Sequence, residues 1–233
     1  MIKTTNLTKN FGSQIAVNNL NLDVKSGEIY CLLGANGAGK TTTINLLLSF
    51  LKPTSGSAYI NQLNVGKNAK ATKQFLAYIP ENLMLYPNLT ATENLKYFSG
   101  IAGKKYDSDE LKGYLEESGL ETDAFNKPIS KFSKGMRQKV GIAIALTKEA
   151  KVLLLDEPTS GLDPKANNEF GVLLKKLKTR GVSILMATHD LFRAKEVATH
   201  IGIMKKGELI QQIVSDDISL SELEKTYLEI SIS

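Results

Sequence analysis

The stretch GANGAGKTT, Gly34 to Thr42, follows directly on EIYCLL and runs into KTTTINLLLSFL. Leucine, aromatic and β-branched residues give the first segment the composition of a buried strand, and the apolar spacing of the last predicts a helix. The glycines therefore occupy a strand-to-helix turn. Such a turn aims successive backbone N–H groups and a helix N-terminus at one point, which makes it an anion site. Gly34, Gly39, Lys40 and Thr41 fit G-x-x-x-x-G-K-[ST] in the setting that pattern requires. The expected guest is a nucleoside triphosphate. The backbone of Gly34, Ala35, Asn36, Gly37, Ala38 and Gly39, with Thr42, holds the phosphates. Lys40 reaches the β- and γ-phosphates, and Thr41 offers its hydroxyl to Mg²⁺. This stretch alone does not say what the nucleotide drives.

Composition narrows the class. A chain of 233 residues has ample length to bury a core of its own. No apolar run reaches the roughly 18 to 20 residues of a membrane span, and MIKTTNLTKN lacks the apolar centre of a signal peptide, so a cytoplasmic chain is expected. Cys31 is the only cysteine, which rules out an internal disulfide or a cysteine metal site; a small buried hydrophobe is its expected role. Net charge is +5, yet residues 207–233 hold six acids and one lysine. The basic residues are scattered, so a solvated surface is expected and nucleic acid is not.

The order of segments suggests an α/β fold with an antiparallel N-terminal sheet and an inserted helical lobe. MIKTTNL, QIAVNNLNLDV and EIYCLL read as strands broken by Asn and Gly turns, and PTSGSAYIN as a turn with a further strand. The pattern then turns helical. TATENLKYF opens with a Thr-x-x-Glu capping box at Thr90 and Glu93, and DSDELKGYLEESGL keeps helical leucine spacing up to Gly119. The lobe is assigned to residues 88–131 and the nucleotide-binding core to 1–87 and 132–233, within a single domain. The core resumes with KVLLLDEP, a helix from Pro164 to Arg180 stopped by Gly181, the strand VSILMAT and the hairpin IGIMKKGELIQQI.

In VLLLDEPTSGLD the apolar strand delivers Asp156 and Glu157 to its end, where carboxylates face a ligand crevice. Asp156 is placed to hold Mg²⁺ and Glu157 to polarise the attacking water, since phosphoryl transfer depends on positioning and charge stabilisation. His189, in LMATHD, ends the next strand; it is expected two strand ends from the nucleotide, within reach of the γ-phosphate. In KFSKGMRQKVGIAIAL, Ser133 caps a helix whose first turn is expected to expose Gly135, a second helix N-terminus suited to phosphate. An ordinary capped helix is the alternative.

Together these motifs resemble the nucleotide-binding subunit of an ATP-binding cassette (ABC) transporter, over nearly the whole chain. GANGAGKTT resembles the family's phosphate loop in a P-loop NTPase core, FSKGMRQ its signature motif and VLLLDEP its Mg²⁺ and base strand. SGLD, Ser160 to Asp163, resembles its dimer-contact loop, THD its switch histidine, and Phe11 the aromatic that stacks on adenine. The resemblance implies ATP and Mg²⁺ as cofactors and a homodimer, or a pair with a similar subunit, in which Ser133 and Gly135 face the partner's ATP. It also implies a separate multi-span membrane subunit docked on the lobe, and hence a place at the inner face of the cell membrane. Two motifs depart from the family pattern: in the signature, usually Leu-Ser-Gly-Gly-Gln, Lys134 stands at the first glycine and Met136 precedes Arg137, and in the loop that normally carries glutamine Glu81 stands at that position, where its carboxylate would reach Mg²⁺. Both changes resemble the branch that pairs with ABC-2-type membrane subunits and mostly exports. A soluble cassette ATPase of metal-cluster assembly or nucleic-acid processing is the rival reading.

Overall fold

A computed structural model describes residues 1–232. The chain opens with two long strands, β1 (Ile2–Phe11) and β2 (Gln14–Val24), then β3 (Ile29–Leu33) and helix α1 (Lys40–Leu47). Next come β4 (Ser55–Ile60), β5 (Leu63–Asn64), α2 (Ala69–Phe75) and β6 (Leu76–Ile79). The lobe supplies α3 (Ala91–Ile101) and α4 (Ser108–Glu117), joined by short 3₁₀ turns to α5 (Lys134–Thr147). The rest follows as β7 (Val152–Asp156), α6 (Pro164–Thr179), β8 (Ser183–Thr188), α7 (Leu191–Val197), β9 (His200–Lys205), β10 (Glu208–Val214) and α8 (Leu220–Ile232).

The strands form two sheets, an antiparallel one in the order β2-β1-β4-β5 and a second in the order β10-β9-β3-β8-β7-β6. From β9 to β6 the second sheet is parallel, and β10 closes its edge antiparallel. The parallel strands are apolar on both faces because both are covered. Leu32, Leu154 and Leu185 pack toward the antiparallel sheet and α1, with Leu7, Leu22, Ile44 and Leu47. Cys31, Leu155 and Met186 point the other way, onto Ile142 of α5, Phe170 and Leu174 of α6, Ala194 of α7 and Leu223 of α8. Burial pushes the Cys31 thiol up, and the residue is a free core cysteine.

Helix boundaries follow local chemistry. The capping box at Thr90 and Glu93 is formed, and Asp107 with Glu110 makes a second one at α4. Asp163 caps α6, with Pro164 at its first position. The helix after the phosphate loop is shorter than its apolar spacing predicts: it ends at Leu47, and Ser49 turns to φ 57°. The leucines beyond it stay apolar because they pack on the core, not because the helix continues. Strand β6 is only four residues long, and helix α8 places Leu223, Tyr227 and Ile230 at helical spacing against the core. The lobe has its own apolar cluster, in which Leu95, Leu111, Leu115 and Phe125 meet Val140 and Ala143 of α5. One helix thus spans lobe and core.

Asn94 fastens the segment between core and lobe. Fully buried, its Oδ1 accepts from the Tyr86 N–H at 2.8 Å, and its Nδ2 donates to the carbonyls of Tyr86, Leu89 and Thr90. Asn94→Leu keeps the branched shape but removes the partner of the part-buried Tyr86 N–H, while the three carbonyls keep their backbone donors. Denaturant unfolding is expected to report a loss of about 1 to 3 kcal/mol, of the size of an unsatisfied buried polar group.

Candidate functional site

The parallel register aligns three strand ends. Leu33 of β3 lies opposite Thr188 of β8, and Ala187 opposite Asp156 of β7. Beyond those ends the Gly34 N–H donates to the Thr188 carbonyl at 3.3 Å, and the Glu157 N–H to Ala187 at 2.9 Å. The phosphate-type loop, the acids and His189 therefore leave the sheet side by side. β8 lies directly between β3 and β7. His189 is thus one strand end from the loop, not the two expected, because the strand that comes later in sequence is inserted between the earlier ones.

Two glycines of the loop are sterically required. Gly39 has φ +104°, and a Cβ there would lie 2.5 Å from the Ala16 carbonyl oxygen; one on Gly34 would lie 2.5 Å from that of Met204. Gly39 is also the N-cap of α1 and brings no side-chain cap, which leaves the N–H groups of the first turn to the loop side. Lys40 is only 5% exposed; its ammonium donates to the Gly34 carbonyl at 2.7 Å and the Ala35 carbonyl at 3.1 Å. It lies 3.4 Å from Glu157 Oε1.

Strand parity decides where the first acid points. Val152 and Leu154 face α1, so Asp156 does too, and Thr41 donates its hydroxyl to Asp156 Oδ1 at 3.0 Å. Burial pushes the Asp156 carboxyl above its ordinary value; the Thr41 bond and the Lys40 charge work against this, and the charges of Glu157 and, more weakly, Glu81 add to it. Glu157 leaves the strand at φ 45°, a left-handed conformation rare for a non-glycine residue and common at functional sites. Its Oε2 lies 2.9 Å from His189 Nδ1, while Oε1 makes no hydrogen bond. The histidine is exposed and the glutamate mostly buried, so the carboxylate is oriented from the solvent side by the ring and from within by Lys40.

A cavity of about 500 Å³ gathers Phe11, residues 36–42, Glu81, Asp156 and Glu157. Phe11 is 47% exposed at its lip, with the Lys9 ammonium 4.9 Å from the ring centre; it is no core phenylalanine. Gln14 and Ala16 share the lining. Gln14 is brought there as the register partner of Phe11 across the Gly12–Ser13 turn. The oxygen donors of Thr41, Asp156 and Glu81 are those a hard cation takes. Among the described residues no group of three or more His, Cys, Asp or Glu could hold a metal by itself. That donor set fits Mg²⁺, which is commonly held by one or two carboxylates together with substrate phosphates.

Ser133 and Gly135 do not line this cavity. Ser133 caps α5, accepting from the Met136 N–H at 3.2 Å, and is exposed. Gly135 is buried rather than exposed: a Cβ on it would be 3.0 Å from the Ala166 Cβ, because the first turn of α6 packs there.

The model of the ABC transporter family matches residues 17–160. The chain belongs to the ABC transporter family. It is 44% identical over 236 residues to the bacitracin transport ATP-binding protein BcrA of Bacillus licheniformis, covering all of this chain and 75% of that protein. A solved ATP-binding subunit of an ABC transporter superposes with a TM-score of 0.84 at 30% identity, covering 98% of this chain and 99% of the other. The dimeric cassette MJ0796, solved in a post-hydrolysis state with ADP and Pi, gives 0.82 at 29% identity over 92% and 99%. This ABC chain is an ATP-hydrolysing, nucleotide-binding subunit with the ABC ATPase fold.

The raised Asp156 carboxyl has a measurable consequence. A folded-state value above the unfolded one means that the charged form opposes folding, so this group favours the fold at acid pH and the benefit is lost as pH rises through the folded value. Asp156→Asn is therefore expected to raise the melting temperature of the protein without nucleotide or divalent metal at neutral pH. The difference should close on acidification, while hydrolysis is lost. Melting curves against pH check it.

Proposed function

We propose that the subunit holds MgATP in the cavity at the ends of β3, β8 and β7, pairs with a second cassette, and powers export through a separate multi-span membrane subunit. The observation that carries this is a separation. The loop, Lys40, Thr41, Asp156 and Glu157 line one crevice with His189 against Glu157, whereas Ser133 and Gly135, at the second phosphate-type helix end, do not line it. A second copy of this chain, or a similar subunit, supplies the missing half of each site, in keeping with the dimeric cassette that it resembles.

Within the crevice each group has a role suited to its place. Phe11 stacks on the adenine ring, Lys40 and the α1 N-terminus neutralise the phosphate chain, and Glu157 takes a proton from the attacking water. His189 holds the Glu157 carboxylate and reaches for the γ-phosphate. Thr41, Asp156 and Glu81 hold Mg²⁺, which when bound supplies charge neutralisation at the transferring phosphoryl group.

The coupling surface is a larger cavity, about 760 Å³, between core and lobe. Phe50, Met84 and Ile101 present exposed apolar surface to it, and Lys70, Lys73 and Lys148 surround them. A cytoplasmic helix of the membrane subunit docks there, which places this chain at the inner face of the cell membrane. No helix among the described residues is long and apolar enough to cross the bilayer. The chain has no strongly clustered basic run for nucleic acid. The name of the bacitracin relative suggests a peptide antibiotic or a similar compound as cargo.

Glu157→Gln is expected to keep ATP affinity, lower turnover by about 10² to 10⁴, and accumulate a dimer on gel filtration with ATP. A variant that stays monomeric and hydrolyses at the wild-type rate removes the assignment. Phe11→Ala is expected to weaken ATP binding by about 1 to 3 kcal/mol, the scale of a base stacked on an aromatic ring, and Phe11→Tyr to be mild. Calorimetric titration with ATP reads both.

A further inference from the structure

Glu81 is gripped by two segments remote from it in sequence. Its Oε1 accepts the Ser160 hydroxyl at 3.0 Å, and the Lys134 ammonium lies 4.0 Å from the same oxygen. Both side chains of the ion pair are partly screened, Lys134 at 30% and Glu81 at 48% exposure. Lys134 is the first residue of α5, where the positive end of the helix dipole disfavours a cation. The Glu81 carboxylate offsets that cost.

The crevice needs that charge. It is lined by three carboxylates, Asp156, Glu157 and Glu81, and by a single ammonium, Lys40. Glu81 is felt there, since its charge helps to push up the Asp156 carboxyl. An anionic phosphate chain entering this field is opposed by every unbalanced carboxylate. We propose that Lys134 is a positioning residue for the nucleotide site: paired with Glu81 and Ser160, it balances the third carboxylate and holds it at the cavity wall, so that phosphates are admitted before a divalent cation completes the charge balance. This rests on the reading of Glu81 as a crevice group. It ties the start of α5 and the Ser160 turn to the charge state of the crevice within one subunit.

The test is calorimetric titration with ATP, first in EDTA and then with saturating Mg²⁺, on the wild type, Lys134→Ala, Lys134→Arg, Glu81→Gln and the double variant Lys134→Ala/Glu81→Gln. Melting curves confirm that each is folded. Lys134→Ala should weaken metal-free ATP binding by about two- to fivefold, the range of a partly exposed ion pair, and Mg²⁺ should narrow the gap. Lys134→Arg should restore most of it. Glu81→Gln should strengthen metal-free binding, and in that background removing Lys134 should cost clearly less. If Glu81→Gln shifts affinity while Lys134→Ala does not, or if Lys134→Ala costs the same in both backgrounds, the pairing is refuted and the crevice reading of Glu81 stands. If Glu81→Gln is silent in both EDTA and Mg²⁺, the crevice reading of Glu81 fails and the proposal falls with it.

Discussion

The Lys40 ammonium is the charge around which the site is organised. It is almost fully buried, and burying an unpartnered ammonium is strongly unfavourable, so its surroundings have to supply oxygen. Two loop carbonyls and the Glu157 carboxylate do so. The same contacts fix the loop against the strand end and draw Glu157 inward, where Lys40 on one side and His189 on the other define its direction. Neither carbonyl could face the lysine unless the loop curled back over it, which the left-handed Gly39 and the close approach at Gly34 allow.

That organisation presupposes the sheet. Parallel pairing brings the carboxyl ends of β3, β8 and β7 to one edge, and twofold alternation along each strand decides which face every residue serves. Asp156 inherits the α1 side from Leu154 and Val152 and so meets Thr41. A shift of one residue in β7 would turn that carboxylate toward α6 and dissolve the link between the loop and the acids. The buried carboxylate opposes folding in its charged form, so the stability of the surrounding sheet holds a functional group in an unfavourable place.

The lobe is tied to this edge by few connections. Helix α5 shares its apolar face with lobe and core, Asn94 staples the intervening segment, and Glu81 meets both Lys134 and Ser160. Two of the positions at which the chain departs from the family pattern, Glu81 and Lys134, thus face each other. Glu81 also lines the crevice.

The sequence by itself determined the chemistry of the site. GANGAGKTT and VLLLDEP name their ligand class because loop curvature, a lysine and an acid at a strand end are local requirements that few other residues meet. The capping box at Thr90 and Glu93 and the helix starts at Ser133 and Pro164 were legible because the residues that start a helix lie within a few positions of one another. What only tertiary structure decided was adjacency. The insertion of β8 between β3 and β7, the burial of Gly135 under α6, the ending of α1 at Leu47, and the meeting of Glu81 with Lys134 and Ser160 all depend on segments far apart in the chain. No local spacing encodes such contacts, because they are fixed by which apolar faces cover each other when the sheet is buried.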